Sequence, residues 1–315
     1  MLAMANHKPR VSIGLPVYNG ERFLKEALDS ILAQTFEDFE LIISDNASTD
    51  GTQEICRAYV AQDRRIRYFR NQTNLGAAKN FNRVFELSSG EYFKWAACDD
   101  VCAPDFLLRC VEALDQEASV VLSYPRARHI DENGKILQNY DVKLNTDSLK
   151  LQERFYDLIR VSHWCFQVFG VIRASTLKMT PLIGNYVASD RVLLVRLGLL
   201  GRFYEVSEYL FFRRRHPGQL TALPARYSYL HTGWYDSAKA RRIVFPKWKI
   251  FSEYLTSIRQ TPLSPSERAW CYLHMGRWLH GNGKEMIGDL VRAGKQILRL
   301  DESWQRQEEI TESLL

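Results

Sequence analysis

No run in this chain of 315 residues approaches the roughly 18 to 20 apolar residues that a membrane-spanning helix needs. The best candidate, Val192–Leu200, is short and carries Arg196. Met1–Arg10 lacks the apolar core of a secretory signal. Cysteine is sparse. The six residues Cys56, Cys98, Cys102, Cys110, Cys165 and Cys271 form no Cys-X-X-Cys pair, so neither a zinc ribbon nor a disulfide framework is suggested. Excess charge is slight as well: a formal +5 suits a protein that handles anions but is too small to argue for nucleic acid. The chain has no internal repeat and no low-complexity tract. The expectation is a cytoplasmic protein with reduced thiols and no nucleic-acid partner.

What is there is ordinary globular composition, 46% hydrophobic and 25% charged, and a length that suits one large domain with an appendage. Short apolar runs alternate with amphipathic stretches. Strands are expected at Val11–Pro16, Phe39–Ser44, Ile66–Phe69 and Tyr92–Ala97, with helices at Glu21–Gln34, from Asp50 to about Val60, at Gly76–Leu87 and from Pro104. Asp50, followed by Gln53, reads as the cap of its helix. Such alternation gives an α/β fold, a mainly parallel sheet flanked by helices. Further strands are expected at Val120–Tyr124, Ala127–Asp131, Gln167–Ile172 and Tyr209–Arg213, and helices at Leu151–Arg160 and Ser189–Leu200. After Pro224 the pattern is helical. The division expected is 1–222, with halves at about 9–125 and 126–222, and a helical region over 223–315.

A parallel sheet binds ligands at the carboxyl ends of its strands, and four polar segments fall there: Val17–Glu21, Asp45–Thr52, Asn71–Asn80 and Cys98–Asp100. Asp45, which no helix cap requires, can accept from a uracil imide or a ribose hydroxyl. Asp99 and Asp100 are adjacent carboxylates after an apolar strand, an uncomfortable pair unless a cation sits nearby. Hard oxygen ligands favour Mg²⁺ or Mn²⁺ bridging to substrate phosphates. Arg213-Arg214-Arg215-His216 concentrates cations after a strand, where a diphosphate leaving group would need them. Asp190 opens an apolar helix and can serve as a base or as a helix-terminal acid. His163-Trp164 offers an aromatic plane of the kind sugars stack on.

Together these segments resemble the family 2 glycosyltransferases of the GT-A fold, over roughly 9–218. The resemblance rests on Pro16-Val17-Tyr18-Asn19-Gly20, Ser44 through Thr52, Asn74-Leu75-Gly76 with Asn80, and Asp99 through Pro104. It implies a Rossmann-like nucleotide-sugar half, an acceptor half, and inverting transfer from a UDP-, GDP- or dTDP-sugar to a glycan or glycolipid hydroxyl in cell-surface polysaccharide or glycolipid assembly. The nucleotide contacts it implies are Pro16, Tyr18, Asn19, Glu21, Asp45, Asn46, Asn74, Asn80 and Asp99. Arg213, Arg215 and His216 would steady the leaving group, and Asp99, Asp100 and His216 would hold the metal. Asp190 would be the catalytic base, and His163 and Trp164 would meet the acceptor. One departure from the family pattern is that Ala97 stands where the first carboxylate of Asp-X-Asp is usual.

The competing readings are a nucleotidyltransferase, opposed by the single glycine of the first loop, and a non-catalytic nucleotide-sugar binder, opposed by the retained Asp99, Asp190 and His216. In the tail, basic and aromatic residues interleave over 234–251, a pattern for packing helices or for peripheral contact with the inner face of a membrane. Met286, Ile287, Leu290, Val291, Ile297 and Leu298 form a helical stripe expected to dock on the rest of the protein.

Overall fold

The structure, a computed structural model, describes residues 8–219 and 245–297. The first half alternates β1 (Val11–Val17), α1 (Leu24–Leu32), β2 (Phe39–Asp45), α2 (Thr52–Gln62), β3 (Ile66–Arg70), α3 (Ala77–Glu86) and β4 (Tyr92–Trp95). It continues through β5 (Val101–Cys102), α4 (Phe106–Gln116), β6 (Val120–Ile130) and β7 (Ile136–Tyr140). Next come α5 (Leu151–Arg160), β8 (Val171–Arg173), α6 (Ala174–Leu177), α7 (Ser189–Leu200) and β9 (Arg202–Arg214). Among the described residues two C-terminal helices follow, α8 (Pro246–Gln260) and α9 (Pro265–Ile297).

Among the described residues the strands form one nine-stranded sheet in the order β3-β2-β1-β4-β8-β6-β9-β5, with β7 paired to β6. The β3-β2-β1-β4 stretch is parallel, as are β6 and β9. Strands β1 and β2 are buried at every position, as expected of parallel strands covered on both faces. Their register pairs Val11 with Phe39 and Val17 with Asp45. The loops that follow both strands therefore leave the sheet side by side. On one face Ile13, Leu15, Leu24, Leu28 and Leu107 pack together. On the other, Phe93 and Trp95 pack with α3, α5, α7 and the C-terminal helices. Gly14 lets α3 close in, because a Cβ there would lie 2.5 Å from Val84 Cγ2.

Several expectations differ from what is observed. The strands expected at Val120–Tyr124 and Ala127–Asp131 are one strand, β6, which passes through Pro125. Irregular register against β9 around Pro125 and Arg126 absorbs the missing proline N–H. Gln167–Ile172 is not a strand throughout: Phe166–Phe169 forms a 3₁₀ turn before β8. Cys165 enters the turn in the left-handed region (φ 57°), and Gly170 N–H closes it on the Gln167 carbonyl at 2.9 Å. In α9 the docking face is Cys271, Met275, Trp278, Met286 and Ala293, all buried. Of the stripe expected to dock, Ile287, Leu290, Val291 and Ile297 are exposed instead. Leu298, the chain before residue 245 of the 234–251 patch, and the boundary at 222 lie outside the described residues. Among the described residues, no helix is long and apolar enough to cross a membrane.

Candidate functional site

The loops after β1 and β2 are tied by reciprocal hydrogen bonds. Asn19 N–H donates to Ser48 Oγ (2.9 Å) and Asn19 Oδ1 accepts from Thr49 N–H (2.8 Å). Glu21 N–H donates to Asp50 Oδ2 (3.0 Å), and Gly51 N–H donates to Glu21 Oε2 (2.6 Å). Asp50 is thus not the cap of α2. Gly51 holds that position, and the second Asp50 oxygen accepts Thr52 N–H at 3.1 Å. Asn19 and Ala47 both sit at positive φ (51° and 63°), a cost that a well-braced ligand loop tolerates. Pro16 lies at the buried end of β1, and Tyr18 is half-buried just beyond it.

Asp45 is fully buried, and its carboxylate is already engaged. Oδ1 accepts Ser48 N–H (2.8 Å) and Oδ2 accepts Tyr68 Oη–H (2.7 Å) and Arg70 Nε–H (3.2 Å). Behind it lies an amide network. Asn46 Nδ2 donates to Asn74 Oδ1 (2.7 Å), and Asn46 Oδ1 accepts from Leu75 N–H (2.9 Å) and Asn71 Nδ2 (3.0 Å). Asn80 Nδ2 donates to the Ser44 carbonyl (2.8 Å), while its Oδ1 accepts Ser44 Oγ–H at 2.7 Å. Asn46 and Asn80 therefore brace the ends of β2 and β3 from within.

Downstream of β4, Asp99 is 21% exposed. Its Oδ2 lies 3.1 Å from His216 Nε2 and accepts Gln219 Nε2–H at 2.7 Å. Burial works to raise the Asp99 carboxyl, but the His216 and Gln219 bonds outweigh it and hold the group below its ordinary value. Phe23, at the entry to α1, lies under both His216 (centroids 4.8 Å apart) and the Arg214 guanidinium (4.7 Å). The first loop and the Asp99–His216 pair are thereby neighbours. Asp100 is placed elsewhere. It is buried, accepts Arg214 N–H at 3.0 Å, and is raised well above its ordinary value by burial and by Asp99. Of the three residues expected to hold a metal, Asp99 and His216 face each other and Asp100 does not; among the described residues, no cluster of three or more His, Cys, Asp or Glu surrounds them. Arg214, wholly buried, braces the turn through the Asp99, Asp131 and Glu132 carbonyls at 2.9, 3.1 and 3.0 Å. Arg215, half-buried, pairs its N–H with Ile130 O at 2.8 Å.

A second group centres on the start of α7. Asp190 is half-buried in its first turn, after Ala188 at φ 62°. Burial lifts the Asp190 carboxyl above its ordinary value, and the Arg191 N–H (2.8 Å) and charge only partly offset this. Arg191 donates to the Val161 and His163 carbonyls at 3.1 and 2.9 Å. His163 is buried, and burial together with Arg191 pushes its imidazole down to about 4. Its expected acceptor role meets a ring turned into the protein, with Nδ1 on Val161 O at 2.9 Å. Trp164 is 46% exposed and lies 5.1 Å below the Arg213 guanidinium. The Arg213 charge also acts on Asp99, and Trp164 follows His163, whose carbonyl accepts from Arg191, so Arg213 and Trp164 lie between the two groups.

Sequence reasoning missed Asn71, Tyr68, Arg70 and Gln219. Asn71 opens one of the four polar segments, which was its only signal. The others lie on a strand or past a turn, and only the fold brings them to Asp45 and Asp99.

The glycosyl transferase family 2 model matches residues 12–175, and the chain belongs to that family. An uncharacterized glycosyltransferase of Methanocaldococcus jannaschii, MJ1057, is 33% identical over 135 residues, covering 42% of this chain and 47% of its own. The match thus spans about half the length of that relative. Among solved structures, residues 1–349 of S. aureus TarS in complex with UDP-GlcNAc align with a TM-score of 0.63 at 18% identity, covering 95% of this chain and 78% of the other. The mannosyltransferase PcManGT of Pyrobaculum calidifontis, in complex with GDP-Man and Mn²⁺, aligns at 0.52 and 16% identity, covering 98% and 86%. At these identities the likeness establishes the GT-A-like fold.

Proposed function

We propose that the chain is a nucleotide-sugar glycosyltransferase that transfers a hexosyl group to an acceptor hydroxyl by single displacement, with inversion, in cell-surface polysaccharide or glycolipid assembly. The observation that carries this reading is the pairing of Asp99 with His216 beside the two interlocked loops after β1 and β2. Binding of UDP-GlcNAc by TarS and of GDP-Man with Mn²⁺ by PcManGT supports a nucleotide-sugar donor for this fold.

Tyr18, Asn19 and Glu21, with the Asp45–Asn46 turn, would hold the nucleoside. Asp45 and Asn80 act partly as braces, since their polar atoms are engaged within the protein. Asp99 and His216 fit a divalent cation as a two-donor site, because such ions commonly take their remaining ligands from substrate phosphates and water. The cation, when bound, would neutralise charge on the departing diphosphate. Arg213 and Arg215 add fixed positive charge on the same side. Asp190, raised by burial, is suited to take the proton from the attacking hydroxyl. Trp164, exposed beneath the Arg213 guanidinium, would offer the sugar an aromatic face.

The test is release of nucleoside diphosphate from UDP-GlcNAc and GDP-mannose, with and without Mn²⁺, followed by the anomeric configuration of any product. Turnover lost in Asp99→Asn and Asp190→Asn, with the fold intact, supports the reading. Turnover that survives both changes contradicts it.

A further inference from the structure

A cavity of about 420 Å³ lies where the end of α5 and the start of α7 meet the C-terminal helices. That size falls within the range of small-ligand pockets. Among the described residues its wall carries Arg160, Arg191, Lys247 and Arg277, and no carboxylate. Lys247 is partly compensated by Glu285 at 2.5 Å, and Arg191 spends its donors on the Val161 and His163 carbonyls. Arg160 and Arg277 are exposed and have no ion-pair partner among the described residues. A cleft lined by one sign of charge concentrates the opposite ion.

Tyr254, also in the wall, is wholly buried, and its hydroxyl has no hydrogen-bond partner among the described residues. That hydroxyl is closed off from solvent, so Tyr254 closes the wall and makes no polar contact with an occupant. The ceiling includes Trp278, an apolar surface beside the cations. The cavity reaches Ala188, two positions before Asp190, so it lies on the α7 side of the site. The β1 and β2 loops are not part of its wall.

We propose that this cavity binds a phosphate group carried by the acceptor, held by Arg160, Arg277 and Lys247 while the hydroxyl to be glycosylated reaches Asp190. Calling the ligand an acceptor rests on the glycosyl-transfer reading above; the anion site itself does not. Guanidinium groups suit the several oxygens of a phosphate better than a single point contact does.

The experiment is isothermal titration of the full chain with inorganic phosphate, glycerol 3-phosphate and glucuronate, comparing wild type with the Arg160→Ala/Arg277→Ala double variant. Both arginines are exposed, so the variant keeps its fold, which circular dichroism checks. The expected result is binding of both phosphates that weakens roughly tenfold or more in the variant, with UDP or GDP binding unchanged. Equal phosphate binding by the two proteins, or tighter binding of glucuronate than of phosphate, overturns the proposal. If wild type binds no nucleotide but still loses phosphate binding in the variant, the anion site stands and the glycosyl-transfer reading falls.

Discussion

Replacing Asp190 with asparagine keeps the size of the side chain and an oxygen for the Arg191 N–H, which the carboxylate accepts at 2.8 Å. What disappears is the ability to take a proton. Removing a positioned general base typically costs about 10²- to 10⁴-fold in rate, which is roughly 3–5 kcal/mol of transition-state stabilisation. The same burial that raises the Asp190 carboxyl gives a second, opposite effect on stability. The native state holds the Asp190 proton more tightly than the unfolded chain does. Stability therefore falls as pH rises from the ordinary carboxylate value through the raised one, and the penalty is complete above that window. The asparagine variant carries no such penalty. Urea denaturation at pH 7 should show Asp190→Asn at least as stable as wild type, with any advantage vanishing below the ordinary carboxylate value. Wild-type transfer should decline as pH drops through the raised value. Unchanged transfer in a folded Asp190→Asn protein would refute the assignment, and a large loss of stability at pH 7 would refute the burial argument.

Other substitutions test other links. Asp50→Ala removes the acceptor for Glu21 N–H and Thr52 N–H; a loss of about 1–3 kcal/mol in chemical denaturation and weaker nucleotide binding are expected. Gly170→Ala would place a Cβ 2.5 Å from the Ser123 carbonyl, so a loss of about 1–3 kcal/mol by urea denaturation is expected. Glu253 on α8 pairs with Arg196 on α7 at 2.8 Å, with side chains 18% and 10% exposed. Burial acts to raise Glu253, but Lys249 and Arg196 outweigh it and hold it below its ordinary value. Its contribution is therefore present above the ordinary glutamate value and lost as pH falls through the lowered one. Glu253→Gln should cost about 1–3 kcal/mol near pH 7, with a smaller difference in acid, read by denaturation across pH.

How much of this was legible depended on whether local pattern and tertiary placement agreed. Strands β1 and β2 are buried throughout, so their apolar runs announced themselves. Where tertiary pairing decided the outcome, the sequence misled. Pro125 suggested a break, yet β9 holds β6 continuous across it. The run Gln167–Ile172 looked like a strand until the left-handed Cys165 turned its first part into a 3₁₀ helix. Strand β7 is exposed along most of its length, so no apolar alternation marks it as a strand. In α9 two apolar stripes compete, and contact with α5 and α8 selects the one through Met275 and Trp278. Of the site, the loops after β1, β2 and β4 were visible because polar residues interrupt apolar strands. The separate fates of Asp99 and Asp100 were not, since adjacent residues gave no sign that one faces His216 and the other the backbone of β9. The raised Asp190 likewise depends on burial that no spacing reveals.

The most direct test of the account is isothermal titration of the purified protein with UDP, GDP and dTDP, each with and without Mn²⁺, on wild type and Asp99→Asn. The account predicts that one nucleotide binds more tightly with Mn²⁺ and that Asp99→Asn abolishes the enhancement while the protein stays folded. Binding of none of the three by a folded wild-type protein would contradict it, and a fold with a disabled donor site, as Ala97 in the metal motif allows, would take its place.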